Sequence, residues 1–189
     1  MSHLNASRYP LVERVTSLIN GQRVLSRASA NDLPIIDPAT EQTLSVLQPA
    51  DAAEVDAAVR AAREAFDRGP WPRLPLDERK DILYRIRDGL RAHCEELAYL
   101  ETVNAGLPVA RVVEQIGRAA RNFEFFAEVA STLSGETYNG NKGFLTYVTR
   151  EPKGVAALIA PWNAPLALAS MRVATCIAFG NTCVLKPSE

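Results

Sequence analysis

The chain is short of the features that mark several large functional classes. Its three cysteines, Cys94, Cys176 and Cys183, are odd in number and form no metal-ligand spacing, so a disulfide framework and a metal site are both disfavoured. Its 21 basic and 22 acidic side chains are interspersed and leave a net charge of −1, which provides no basic face for nucleic acid. The apolar stretches are too short to span a bilayer and are interrupted by prolines. The opening MSHLNASRYP lacks the charged start and apolar core of a secretory signal. No internal repeat or low-complexity segment is present. These absences favour a reducing, cytoplasmic setting, with no metal, no nucleic-acid partner and no membrane. What is present is an apolar fraction of 47% in 189 residues, enough for one ordinary domain with an appended arm.

Met1 to Tyr9 is polar and expected to fray. Leu18 to Val24 reads as a hairpin turning at Asn20-Gly21. Ile35-Ile36 and Thr43–Leu47 read as strands around an Asp37-Pro38 turn. Three helices are expected next. Asp51 with Glu54 has the form of a capping box, and Val55, Ala58, Val59, Ala62 and Phe66 follow at helical spacing up to Gly69-Pro70. A second helix starts near Asp77, carries Leu83, Ile86, Leu90, Cys94 and Leu97, and closes at Gly106. The third carries Val109, Val113, Ile116, Ala120, Phe123 and Ala127 toward Leu133. These stripes read as packing surfaces with no site on them. Thr137-Tyr138 and Phe144–Arg150 form a ribbon around Asn139-Gly140-Asn141, with Leu145, Tyr147 and Thr149 on one face.

The most informative stretch runs from Gly154 to Glu189. An apolar strand, Val155 to Ala160, stops at Pro161-Trp162-Asn163-Ala164-Pro165. An apolar helix, a Gly180-Asn181 turn, a second strand and Lys186-Pro187-Ser188-Glu189 follow. Small and β-branched residues throughout the first strand imply burial on both faces, as in a parallel sheet. A right-handed crossover between two such strands opens a dinucleotide-binding domain, in which an acid beyond the second strand accepts from ribose hydroxyls. Glu189 stands in that place, with Lys186 beside it to donate. No GxGxxG follows the first strand, so close approach of the backbone to a pyrophosphate is not encoded here. Asn163, between two prolines, reads either as a cap for the following helix or as a rigidly held N–H₂ donor to an oxyanion. Trp162 beside it reads as a core residue or a site residue. Cys176 and Cys183 read as small buried apolar groups. A sheet ending after two strands leaves an open apolar edge and a tendency to aggregate.

Pro161-Trp162-Asn163, Gly180-Asn181 and Lys186-Pro187-Ser188-Glu189 together resemble the aldehyde dehydrogenase superfamily. The likeness extends back through Glu151-Pro152-Lys153-Gly154-Val155, Glu101-Thr102 with Gly106 and Pro108, the Asp51 helix, Asp37-Pro38-Ala39-Thr40 and Asn20-Gly21. The resemblance implies an α/β fold, the N-terminal part of a Rossmann-like NAD(P)-binding domain with a β-ribbon oligomerisation segment. Residues 1–133 would be the N-terminal strands and helices of the cofactor domain, 134–151 the ribbon, and 152–189 the first, incomplete βαβ unit. It also implies oxidation of an aldehyde by NAD(P)+ through a cysteine thiohemiacetal, hydride transfer and thioester hydrolysis. Asn163 would donate to the oxyanion. Lys186 and Glu189 would hold the adenosine ribose, and Ala160, Pro161 and Trp162 would line the cofactor cleft. Glu189 repels a 2′-phosphate and favours NAD+, with NADP+ an open alternative. A homodimer or homotetramer is implied.

Two positions depart from the family pattern. Arg172 stands where many members carry lysine, and an always-charged guanidinium relays protons poorly, so it takes no catalytic role. Asn104 stands where many carry aspartate, and no metal is assigned. The family's nucleophilic cysteine and general-base glutamate would lie beyond Glu189, so the chain alone is expected to be inactive. The alternatives are a non-catalytic oligomerisation or interaction module, and a free-standing nucleotide-binding domain. Asn122 to Glu128 and Gly135-Glu136-Thr137-Tyr138 resemble the hydroxymuconate semialdehyde dehydrogenases of aromatic catabolism, including the 5-carboxymethyl type.

Overall fold

The computed structural model describes residues 9–24, 31–140 and 142–189. Residues 1–8 of the polar N-terminal stretch, and Asn141 of the ribbon turn, lie outside the described residues. The first strands are short: β1 (Arg14–Val15), β2 (Leu18–Ile19), β3 (Gln22–Arg23), β4 (Leu33–Ile36) and β5 (Thr43–Leu47). β2 and β3 pair as the expected hairpin, with Asn20 at φ 50° and Gly21 at φ 76°. Both central residues of a tight hairpin turn need this left-handed backbone, which asparagine and glycine tolerate best. β5 lies between β1, to which it runs parallel, and β4, to which it runs antiparallel.

Helix α1 (Ala52–Asp67) starts where Asp51 accepts the Glu54 N–H at 2.8 Å. Only half of the expected capping box forms. Glu54 instead accepts from the Ser17 hydroxyl at 2.9 Å, tying the helix to the strand region. The apolar stripe of α1 is also less covered than its periodicity suggests, with Val55 and Val59 49% and 44% exposed. The helix touches its neighbours chiefly from the Ala62 side, where the carbonyl accepts from the Thr182 hydroxyl at 2.8 Å.

The second expected helix is two helices. α2 (Leu76–Ala92) and α3 (Cys94–Ala105) are separated at His93, at φ −100° and ψ 20°. The His93 N–H bonds back to the Gly89 carbonyl, which its Nδ1 also approaches at 2.9 Å, so the turn closes on itself. α2 begins after Pro75, which places Asp77 inside the first turn. There it complements the helix dipole without capping. α3 ends at Gly106 as expected, at φ 72°, where a Cβ would lie 2.7 Å from Pro38 Cγ. Glycine is needed there for backbone and for space.

Helix α4 (Val109–Ser131) is the spine of the molecule. It buries Val112, Ile116, Ala119, Ala120, Phe123, Ala127 and Ala130, whereas Val113, assigned to the buried stripe by periodicity, is 36% exposed. One apolar cluster joins Leu83 of α2 to Phe123 and Ala127 of α4, and to Ala174 and Ala178 of α5 (Pro165–Ala178). A second joins Ala98 of α3 to Val112 and Ile116, with Leu166 of α5 packed on it. The ribbon strands are shorter than the sequence suggests, β6 (Glu136–Tyr138) and β7 (Thr146–Val148), and both are exposed along their length.

Strands β8 (Val155–Ile159) and β9 (Thr182–Lys186) run parallel with α5 crossing between them. The expected burial on both faces is not found, since Ala157 is exposed and Ile159 is 70% exposed. Alternation puts these two side chains on the face that carries Thr182 and Val184. α1 meets that face at its Thr182 end and leaves its carboxyl end open.

Candidate functional site

Residues singled out from the sequence meet at the carboxyl end of the β8–β9 pair. The register sets Ile159 beside Lys186, and the Ala160 N–H donates to the Lys186 carbonyl at 3.0 Å. The Pro161–Ala164 turn and the Pro187–Glu189 ending therefore leave the sheet side by side. In open parallel sheets, the crevice beyond the carboxyl ends of the strands is where ligands bind.

Asn163 does not cap α5. The capping position belongs to Ala164, at φ −153° and ψ 70° with no side-chain cap, and Pro165 is the first helical residue. The capping reading is therefore removed, and Asn163 is exposed. Trp162 is 73% exposed, so its alternative as a core residue fails as well. Ala160 is buried and fixes the end of β8, offering little side-chain surface to a cleft. The Lys186 ammonium lies 2.5 Å from Glu189 Oε1, with both side chains more than half exposed. That contact, the largest influence on it, holds the Glu189 carboxyl below the usual range. The pair thus offers a donor and an ionised acceptor within one span, the pattern that matches vicinal hydroxyls.

The opposite end of the unit is locked by Asn181. Its Oδ1 accepts the Gly154 N–H at 3.0 Å and its Nδ2 donates to the Cys176 carbonyl at 3.4 Å, so the α5–β9 turn is stitched to the start of β8. Cys176 is buried, its Sγ 3.5 Å from the Thr182 carbonyl, and the hydrogen bond with Cys183 and burial push its thiol up. Burial likewise raises the Cys94 thiol. Cys183 is partly buried within β9, and its thiol is lowered by the bond from Cys176. None of the three stands at the carboxyl end of the sheet.

Three polar residues at the root of α5 went unassigned in the sequence. Glu101, on α3, is buried at 8% exposure. Burial raises its carboxyl, and a backbone hydrogen bond from Leu166, in the first turn of α5, pulls the other way. From α4, the Asn122 amide donates to the Ala167 carbonyl and the Ser170 hydroxyl, each at 3.1 Å. A lone acid on an apolar stripe, three residues after Ala98 and four after Leu97, was the available signal for Glu101. With a carboxylate there, the α5 N-terminus is poorly suited to a phosphate, in keeping with the missing glycine-rich turn. In the aromatic segment, Phe123 is core and Phe126 packs against it, while Phe125 is 60% exposed. Arg172 is half-buried, and Asn104 is exposed near the end of α3. Among the described residues, no group of His, Cys, Asp and Glu is arranged to hold a metal ion, and no helix is long and apolar enough to cross a membrane.

Comparison with known proteins adds a further line of observation. The aldehyde dehydrogenase family pattern matches residues 25–189. Aldehyde dehydrogenase 1 of Tanacetum cinerariifolium is 43% identical over 173 residues, 90% of this chain and 34% of the relative. The 5-carboxymethyl-2-hydroxymuconate semialdehyde dehydrogenase of Escherichia coli is 39% identical over 180 residues, 94% of this chain and 37% of the relative. The crystal structure of an NAD-dependent aldehyde dehydrogenase from Sinorhizobium meliloti superposes with a TM-score of 0.88 at 38% identity, over 97% of this chain and 37% of that one. The chain thus spans roughly a third of the length of these relatives, 34% and 37%.

Proposed function

The chain belongs to the aldehyde dehydrogenase family, and from that premise we propose that it supplies the ribose-binding edge of an NAD+ site and one oxyanion donor for oxidation of an aldehyde to a carboxylic acid. The observation that carries this reading is the meeting of the Asn163 turn and the Lys186–Glu189 pair at the carboxyl end of one parallel sheet. The fit to the cofactor rests on the exposed donor and ionised acceptor that Lys186 and Glu189 present together. NAD+, when bound, supplies the hydride acceptor. Lys186 donates to a ribose hydroxyl and Glu189 accepts from one. The carboxylate of Glu189 opposes a 2′-phosphate, which favours NAD+ over NADP+. Pro161 and Trp162 would line the cofactor cleft beside this edge. Asn163 directs its N–H₂ at the oxygen on which negative charge develops, an interaction of about 3–4 kcal/mol in comparable sites.

Cys94, Cys176 and Cys183 all stand away from the Asn163 turn, so the attacking thiol is none of these three. The chain by itself therefore binds without turning over. The substrate is a semialdehyde of the hydroxymuconate type, by the similarity to the Escherichia coli relative. Residues 1–133 and 152–189 belong to the cofactor domain, and 134–151 to an arm that joins subunits into a dimer or tetramer. The last point is favoured by the exposed Tyr138, Leu145 and Tyr147 of the ribbon. Three free thiols suit a reducing, cytoplasmic setting.

The test uses an enzyme that carries this segment together with its thiol. Asn163→Ala should lower kcat by about 10²–10³ while leaving NAD+ affinity within about threefold. Unchanged kcat would remove Asn163 from the reaction. In the 189-residue chain alone, NADH formation above background with an aldehyde would contradict the assignment of the thiol elsewhere.

A further inference from the structure

Asn163 has little local structure to hold it. Its turn is free of side-chain capping, and its neighbour Trp162 lies out in solvent. The backbone beside it is tied instead to the first turn of α5, where the Leu168 N–H donates to the Ala164 carbonyl at 3.0 Å. That N–H and the Ala167 carbonyl belong to one planar peptide unit. The carbonyl end of the unit is gripped from α4, since the Asn122 amide donates to it at 3.1 Å. Two hydrogen bonds and one rigid peptide therefore run without a gap from the Asn122 side chain to the residue next to Asn163.

The surroundings make this linkage specific. The same Asn122 nitrogen donates to the Ser170 hydroxyl at 3.1 Å, and that hydroxyl donates to the Ala167 carbonyl at 2.9 Å, which closes a small ring of bonds between α4 and α5. Ala167 and Ser170 are 3% and 4% exposed, so water does not compete for the ring. Bonds in such a setting reinforce one another, and a missing donor is not replaced by solvent. The next residue of α4, Phe123, is buried with Ala174 and Ala178 of α5, which sets the rotation that turns Asn122 toward that helix. Prolines at 161 and 165 restrict the backbone on both sides of Asn163, so a displacement at Ala164 is passed on to it rather than absorbed.

We propose that Asn122 is a positioning residue for Asn163. From α4 it fixes the Ala167–Leu168 peptide and, through the Ala164 carbonyl, the direction in which the Asn163 turn enters α5. Its functional meaning rests on the reading of Asn163 as the oxyanion donor, whereas the linkage itself is tested separately.

The experiment is residue-resolved amide exchange on the ¹⁵N-labelled chain, with the Asn163 side-chain resonances read in the same spectra. Asn122→Leu keeps the bulk of the side chain and removes both of its donated bonds. It should speed Leu168 exchange about three- to tenfold, the equivalent of one lost hydrogen bond, and shift the Asn163 side-chain resonances. The Leu83 and Val112 amides should stay as protected as before. Ser170→Ala leaves the Asn122 bond to Ala167 in place and should keep Leu168 exchange within about twofold of wild type. If Asn122→Leu does not fold, Asn122→Ser serves, since its shorter side chain cannot span both acceptors and should deprotect Leu168 selectively. Unchanged Leu168 exchange or an unmoved Asn163 signal would overturn the proposal. Equal acceleration across α2 and α4 would also overturn it, as would an equal effect of Ser170→Ala, which would transfer the role to the hydroxyl. In an enzyme that carries this segment with its thiol, Asn122→Leu should lower kcat about three- to tenfold, leave KM for the aldehyde within about twofold, and cost nothing further in an Asn163→Ala background. The same loss in both backgrounds would again overturn it. If Asn163→Ala alone leaves kcat unchanged, the catalytic reading of Asn163 fails, while exchange and resonance shifts still report the linkage.

Discussion

Val112 and Val113 are adjacent valines on α4 with opposite environments, and truncating each in turn tests how the helix is rotated. Val112 is fully buried against Ala98 and Ile116, with Leu166 packed on the same cluster, whereas Val113 is 36% exposed. Val112→Ala removes two carbons from a sealed site. At about 0.8 kcal/mol per buried methylene, that is roughly 1.6 kcal/mol of transfer free energy. A cavity contribution brings the loss to about 2 kcal/mol, of which up to about 0.7 kcal/mol is regained as helix propensity, leaving roughly 1.3–2 kcal/mol. Val113→Ala loses part of that area and regains up to about 0.7 kcal/mol of helix propensity, for a net change near zero. With a urea slope of about 2 kcal/mol/M, the midpoint of the first variant should fall by about 0.7–1 M and that of the second by no more than about 0.3 M. Equal shifts, or a larger one for Val113→Ala, would mean that α4 is rotated and that the packing beneath Leu166 is wrong.

Other expectations concern charge, backbone and thiols. Burial raises the Glu101 carboxyl, so its favourable contribution is present below the ordinary glutamate range and is lost as pH rises through the folded-state pKa. Urea titrations should therefore show Glu101→Gln gaining on wild type from about pH 4.3 upward, and a pH-independent difference would contradict this. Gly106→Ala should destabilise by more than about 2 kcal/mol, because φ is 72° and its Cβ would meet Pro38 Cγ at 2.7 Å. Gly21→Ala, at φ 76° with open space around it, should lose only about 1–2 kcal/mol; equal melting temperatures for the two would refute the Pro38 contact. Cys176, buried with a raised thiol pKa, should react with a neutral thiol reagent at pH 7 only on unfolding. Labelling at the rate of a free thiol would reopen the question of a nucleophile within the chain.

The parts of the fold legible in the sequence are those whose chemistry is local. Asn20-Gly21 specifies its turn through backbone tolerance, Asp51 caps α1 through one side-chain bond, and Gly106 ends α3 through its positive φ. The strand–helix–strand order of the last unit is also fixed by residues close in sequence. Where neighbours distant in sequence decide, the pattern fell short. The His93 break interrupts a continuous apolar stripe, and the ring's approach to the Gly89 carbonyl leaves no mark in periodicity. Adjacent valines at 112 and 113 fit a helical period equally well, and only packing with Ala98 selects one. An all-apolar β8 has no alternation to show which face stays open. At the site, Asn163, Lys186 and Glu189 were legible as isolated donors and an acceptor. Glu101 was not, because an acid on an apolar stripe acquires its meaning only when Leu166 is beside it.

The site at the carboxyl end of β8 and β9 is tested most directly by titrating the ¹⁵N-labelled chain with NAD+. Weak binding, with a Kd of about 1 mM and so about −4 kcal/mol, should shift the resonances of residues 160–163 and 186–189. Glu189→Ala and Lys186→Ala should each weaken it severalfold and, for an exposed ion pair, change the unfolding midpoint hardly at all. No shifts at about ten times that concentration, or shifts centred on another face of the molecule, would contradict the placement of the cofactor edge at Lys186 and Glu189.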